Sequence, residues 1–93
     1  MKYTVKPTKK FQKDLKIAKK RGYEIDMLTE VIKILADGSE LSAEYYDHSL
    51  KGQYAGCREC HIRPDWLLIY EVCDSELILY LTRTGTHSDL FNM

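Results

Sequence analysis

The sequence predicts an α+β fold: an N-terminal strand, then a two-helix antiparallel hairpin packed on an antiparallel β-sheet. Three observations predict it. Before residue 40 apolar residues recur at helical spacing in two stretches divided by Gly22. After residue 53 three strand-like runs follow one another with short connections, which makes them antiparallel neighbours. A length of 93 residues holds one core, so the two blocks must cover each other in a single domain spanning 1–93.

Met1, Tyr3 and Val5 alternate with Lys2 and Thr4, as in a short half-buried strand. Pro7 and Thr8 end it and open a helix, proline suiting a first turn and threonine a cap. Phe11, Leu15 and Ala18 then form one apolar stripe among lysines, and Arg21-Gly22 closes the helix. A second helix is expected from Glu24 to Asp37, with Ile25, Leu28, Val31, Ile32 and Leu35 on one face and Gly38 as its stop. Ser39 to Gln53 is polar and without periodicity. The strand-like runs are Tyr54 to Ile62, Trp66 to Val72 and Leu77 to Arg83. The last two are apolar on both faces, which makes them central strands beneath the helices. The tail from Thr84 to Met93 is too short to form a stable element by itself.

The zero net charge conceals a division. Residues 1–21 carry nine basic side chains against one acid, Asp14, and the remainder carries five against thirteen. Lys9, Lys10, Lys13, Lys16, Lys19 and Lys20 lie on the first helix, and such one-sidedness points to a polyanionic partner as readily as to a solvated face. No apolar run reaches membrane-spanning length and the N-terminus shows no signal-peptide pattern, so a cytoplasmic protein without a membrane partner is expected. Three cysteines in that setting are expected to be free thiols.

Two groupings could carry chemistry. Cys57-Arg58-Glu59-Cys60-His61 matches the spacing of a haem attachment motif, but it lies in a strand pattern. Cys57 and His61 then face one way and Cys60 the other, so the thiols and the imidazole cannot converge on one metal, and no cofactor is expected. The three histidines are the better signal. His61 and Asp65 flank a proline-led turn, while His48 and His87 sit at irregular positions before and after the strand block. An antiparallel sheet can bring all of them to one end.

The runs Tyr45 to Gly52, Gly56 to Tyr70 and Arg83 to Phe91 contain, in order, Asp-His…Leu-x-Gly, His-x-x-Pro-Asp-Trp and Arg-Thr-Gly-Thr-His…Leu-Phe. In these blocks the chain resembles the YafQ branch of the RelE/ParE superfamily of bacterial toxins. The resemblance implies a RelE-like fold and an endoribonuclease that cuts messenger RNA in the ribosomal A site without a metal. It also implies a cognate antitoxin as stable partner, with operator DNA bound only through the toxin–antitoxin complex. Carried over by position, His48, His61, Asp65 and His87 match the family's catalytic residues, and Trp66 and Phe91 its aromatic contacts to substrate. His87 and His61 are expected to share the acid and base roles, Asp65 to orient an imidazole or take part in proton transfer, and His48 and Arg83 to hold the phosphate. The lysines would lie along ribosomal RNA, carrying the affinity that the neutral net charge does not. A gyrase inhibitor of the ParE branch and a non-catalytic antitoxin-binding module remain alternatives on the same fold.

Overall fold

A computed structural model describes residues 1–92. The elements in chain order are β1 (Thr4–Pro7), α1 (Lys9–Lys20), α2 (Ile25–Ala36), β2 (His48–Ser49), β3 (Arg58–Arg63), β4 (Trp66–Cys73), β5 (Ile78–Gly85) and α3 (His87–Phe91). The sheet order is β1-β5-β4-β3-β2. As their two-sided apolar pattern predicts, β4 and β5 are internal. Among the described residues no helix is long and apolar enough to cross a membrane.

Local chemistry explains the helices. Thr8 accepts from the Phe11 amide and caps α1, and Gly22 ends that helix with φ +78°, a conformation that favours glycine. Phe11 and Ala18 on α1, and Leu28, Val31 and Leu35 on α2, are buried as their spacing requires. They meet Cys60, Ile62, Trp66, Leu68, Tyr70, Leu79 and Leu81 from one face of the sheet. On the opposite face Cys57, Leu67 and Ile69 form a second cluster with Leu90 of α3, flanked by Leu50, Tyr54 and Phe91.

The structure corrects four expectations. The first strand starts at Thr4, because the Tyr3 amide donates to the Ala36 carbonyl (2.9 Å) and ties that residue to the end of α2, while Met1 is left exposed. This strand pairs in parallel with β5, so the sheet is mixed, its other pairings being antiparallel. Tyr54 lies in a turn of 3₁₀-helix, and β3 begins only at Arg58. Within the tail, His87–Phe91 form α3, because Thr86 and Asp89 form a reciprocal capping box in which each side chain accepts from the other's amide; Met93 lies outside the described residues.

Trp66 is expected from sequence to meet substrate, but it lies in the core. It is 2% exposed, stacks at a tilt on Tyr23 (4.9 Å between centroids) and donates its indole N–H to Thr84 Oγ1 (3.0 Å). Thr84 in turn donates to the Leu67 carbonyl (2.6 Å). Trp66→Ala is expected to lower unfolding free energy by about 3–5 kcal/mol in urea denaturation. A ring free to stack on RNA would leave stability almost unchanged.

Candidate active site at the end of the sheet

Strand alternation places Glu59 and His61 on the same face of β3, opposite the face that carries Cys60 and Ile62 to the helices. His48 pairs with Glu59 across β2–β3 and therefore joins them. Asp47 fixes that pairing from the side. Its carboxylate accepts from the Arg58 Nε–H (2.6 Å) and from the Tyr70 hydroxyl, and burial together with this carboxylate pushes the Tyr70 phenol upward from its usual value. The Asp-His pair of the sequence is thus an anchor followed by a functional group.

His87 arrives from the other side, on the first turn of α3. Its backbone amide and its Nδ1–H both donate to Asp65 Oδ1, at 2.9 and 2.6 Å. The backbone amide of His87 first, and its imidazole second, hold the Asp65 carboxyl below the usual carboxylate range. Asp65 is therefore an acceptor at neutral pH, which fixes the proton on Nδ1 and turns Nε2 toward the other histidines. Gly85 makes the docking of α3 possible, since a Cβ there would lie 2.9 Å from the Asp89 carboxylate.

The three imidazoles form a row, with centroids of His48 and His61 6.3 Å apart and those of His61 and His87 5.7 Å apart. Beneath the row lies Glu59, buried, its Oε1 3.4 Å from His48 Nε2 and 3.5 Å from His61 Nε2. His48 Nδ1–H donates to the Tyr46 carbonyl (2.7 Å), so both of its nitrogens face acceptors. The site thus joins proton-transfer groups near neutrality to a fixed carboxylate, in a setting open to solvent on one side.

Glu59, His61 and His87 offer ligand atoms that all lie within 4.8 Å of one another, a donor set that a divalent transition metal could use. An ion there would occupy lone pairs of both imidazoles. Metal loading and proton transfer by the same nitrogens therefore exclude each other. The cysteines stay apart from this set. Cys60 is in the helix-side cluster and Cys57 in the opposite one, and burial pushes the Cys60 thiol up to about 12.

Over residues 3–92 the sequence matches the family described as the bacterial toxin of type II toxin-antitoxin system, YafQ. The chain belongs to the YafQ family. It is 40% identical over 82 residues to the mRNA interferase toxin YafQ of Escherichia coli K12, covering 87% of each chain. Among solved structures, that of the E. coli DinJ-YafQ complex superposes with a TM-score of 0.87 at 37% identity, covering 96% of this chain and 98% of the other. The metal-bound toxin from Helicobacter pylori superposes with a TM-score of 0.90 at 45% identity, covering 96% and 99%.

Against the YafQ expectations, the structure brings His48, His61, Asp65 and His87 together and leaves Trp66, Arg83 and Phe91 elsewhere. Trp66 is in the core, as described. Arg83 is bound bidentately by Asp14 of α1 (2.7 and 3.0 Å) and approaches the Tyr54 hydroxyl (3.4 Å), so its charge is matched by Asp14. Phe91 is half-buried and edge-on to Tyr54 (5.7 Å), within the second cluster. All six lysines of α1 are exposed, and among the described residues none takes part in an ion pair. Glu59 is the residue sequence reading passed over. Its signal was its position two residues before His61 in a strand, with apolar positions on the other face.

The anchor of α3 titrates. Asp89 accepts from both terminal nitrogens of Arg21 (2.7 and 3.1 Å), and that guanidinium holds its carboxyl well below the usual carboxylate range. Its folded pKa is depressed, so its contribution is complete above the unfolded value of about 3.9 and is lost as pH falls toward the depressed one. The pair is roughly one-third exposed, which limits its worth to about 1 kcal/mol. Asp89→Asn is expected to reduce hydrogen-exchange protection of the Leu90 and Asn92 amides at pH 7, and acid below pH 4 to do the same to the parent.

Proposed function

We propose that this chain is the toxin of a type II toxin-antitoxin pair and an mRNA interferase that cuts messenger RNA in the ribosomal A site by metal-independent acid/base catalysis. The convergence of His48, His61 and His87 with Asp65 at one end of the sheet is the observation that carries this reading. A gyrase inhibitor on the same fold has no need of that row.

Cleavage follows from the residue types. One imidazole takes the proton of a 2′-hydroxyl, whose oxygen attacks the adjacent phosphorus. The bond to the 5′-oxygen breaks, and that oxygen takes a proton from the other imidazole. The products are a 2′,3′-cyclic phosphate and a free 5′-hydroxyl. His87, its tautomer fixed by Asp65, and its neighbour His61 share these two roles. His48, at the open end of the row, directs positive charge toward the phosphate, and Glu59 orients His48 and His61 from below. Arg83 holds α1 to β5 through Asp14, a scaffold duty.

Ribosome engagement rests on the exposed lysines of α1, Lys9, Lys10, Lys13, Lys16, Lys19 and Lys20, whose attraction for ribosomal RNA should weaken steeply with salt. The partner is an antitoxin, in line with the DinJ found with YafQ of E. coli, and operator DNA is bound only through that complex. Residues 1–93 act as one toxin domain in the cytoplasm, where its ribosomal substrate is.

The test is cleavage of a defined messenger during reconstituted translation. The parent is expected to cut within A-site codons, and His87→Ala to lower the rate by about 10²–10⁴-fold. Absence of cuts from both, with growth still arrested on expression, overturns the nuclease in favour of gyrase. A chelator selective for transition metals, which leaves the magnesium that translation needs in place, is expected to leave the parent's rate unchanged. Loss of cleavage on chelation, restored by added metal, would instead place an ion among Glu59, His61 and His87.

A further inference from the structure

Strand β2 pairs only with Arg58 and Glu59, so from His61 onward the outer edge of β3 has no strand beside it. A cleft of about 720 Å³ opens along that edge, within the size range of ligand sites. His48 and His61 form one of its ends, which makes it continuous with the imidazole row. Its body is apolar, walled by Met27 of α2, Tyr45, Tyr46, Ile62 and Pro64. Glu44 and Arg63 complete the lining, one an acceptor and the other a donor.

Tyr46 is the unusual member. It is 69% exposed, although an aromatic ring of its size gains most from burial. It also sits in the left-handed region at φ +48°, which is uncommon for a bulky non-glycine residue, and its ring meets His61 edge-on at 5.7 Å. The turn holds this conformation through the Tyr46 amide, which donates to the Ala43 carbonyl, and through the Tyr46 carbonyl, which accepts from His48. An exposed ring kept in a costly backbone conformation beside a reactive group is where function is expected to offset strain.

We infer that this cleft is a nucleobase subsite, in which Tyr46 stacks on one unpaired base of the substrate RNA next to the phosphate held by the histidines. The inference rests on the nuclease reading and gives it a substrate contact that Trp66, being buried, cannot provide. Single-stranded RNA is recognised through splayed bases stacked on aromatic rings and hydrogen-bonded along their edges. The chemistry on hand matches: a free aromatic face, a thioether and a second tyrosine behind it, and Glu44 and Arg63 for the base edge. An apolar protein segment is the other occupant such a wall could take. Continuity with the imidazole row, whose substrate is a phosphodiester, favours the base.

The experiment reads binding apart from cleavage. A short 2′-O-methylated RNA, which lacks the attacking hydroxyl, is titrated into the protein and followed by NMR. The largest shifts are expected at Met27, Tyr45 and Tyr46. Tyr46→Ala is expected to weaken binding about 5- to 150-fold and Tyr46→Phe to preserve it, the usual range for removing one stacking ring. Because Tyr46 is exposed, both variants should keep the parent amide spectrum elsewhere. Shifts confined to the α1 lysines or to the Tyr54–Phe91 pair, absence of shifts at millimolar RNA, or a Tyr46→Ala variant that binds like the parent overturns the subsite. Cleavage of translated messenger by the parent is scored separately. RNA cut equally well by Tyr46→Ala dismisses the subsite and keeps the nuclease, whereas base binding without any cleavage keeps the subsite and dismisses the nuclease.

Discussion

Strand β4 is buried on both faces from Trp66 to Tyr70, and a strand of that kind needs two covers. The helices α1 and α2 supply one. The second comes from the tail and from the segment before β3. Leu90 of α3, with Leu50, Tyr54 and Phe91, closes the second face. Covering Leu67 and Ile69 in this way brings His87 against Asp65 and His48 against Glu59. The hydrophobic demand of one central strand therefore assembles the polar row at the end of the sheet.

The polar row is stabilised in a graded way. Glu59 is almost fully buried and shared by two imidazoles, whereas Asp65 is exposed and bound to one. A buried carboxylate without partners would be costly, and the two imidazoles lie at 3.4 and 3.5 Å, close enough to form ion pairs with it when protonated. An exposed carboxylate is cheaply ionised and better suited to fix a tautomer on a side chain that must exchange protons. Two acids of the same charge thus have different duties, set by depth.

Much of this was legible in the sequence. The 3.6-residue spacing of Phe11, Leu15 and Ala18, and that of Leu28, Val31 and Leu35, located both helices, and the two-sided apolar runs located β4 and β5. The sequence motifs themselves carry His48, His61, Asp65 and His87. What periodicity does not carry is pairing. That β1 joins β5 in parallel, that two residues at His48–Ser49 pair with β3, and that Arg83 is taken by Asp14 some 69 positions away all depend on partners distant in sequence. The substrate contact expected of Trp66 comes from the resemblance alone, whereas in the structure Thr84 satisfies its N–H and lets it sink into the core. The tail from Thr84 to Met93 reads as too short to form a stable element, because the anchor that holds α3, Arg21 on Asp89, is distant in sequence, although the Thr86–Asp89 capping box is local.

The short helix α3 has a consequence for how the molecule fails. It contributes one deeply buried side chain, Leu90, and otherwise depends on a cap and a partly solvated ion pair, while the sheet is held by a continuous ladder and two clusters. Local opening of such a segment requires less free energy than melting of the whole. His87 leaves with it, so in warming or mild denaturant the row of imidazoles comes apart while the sheet and both long helices are still intact.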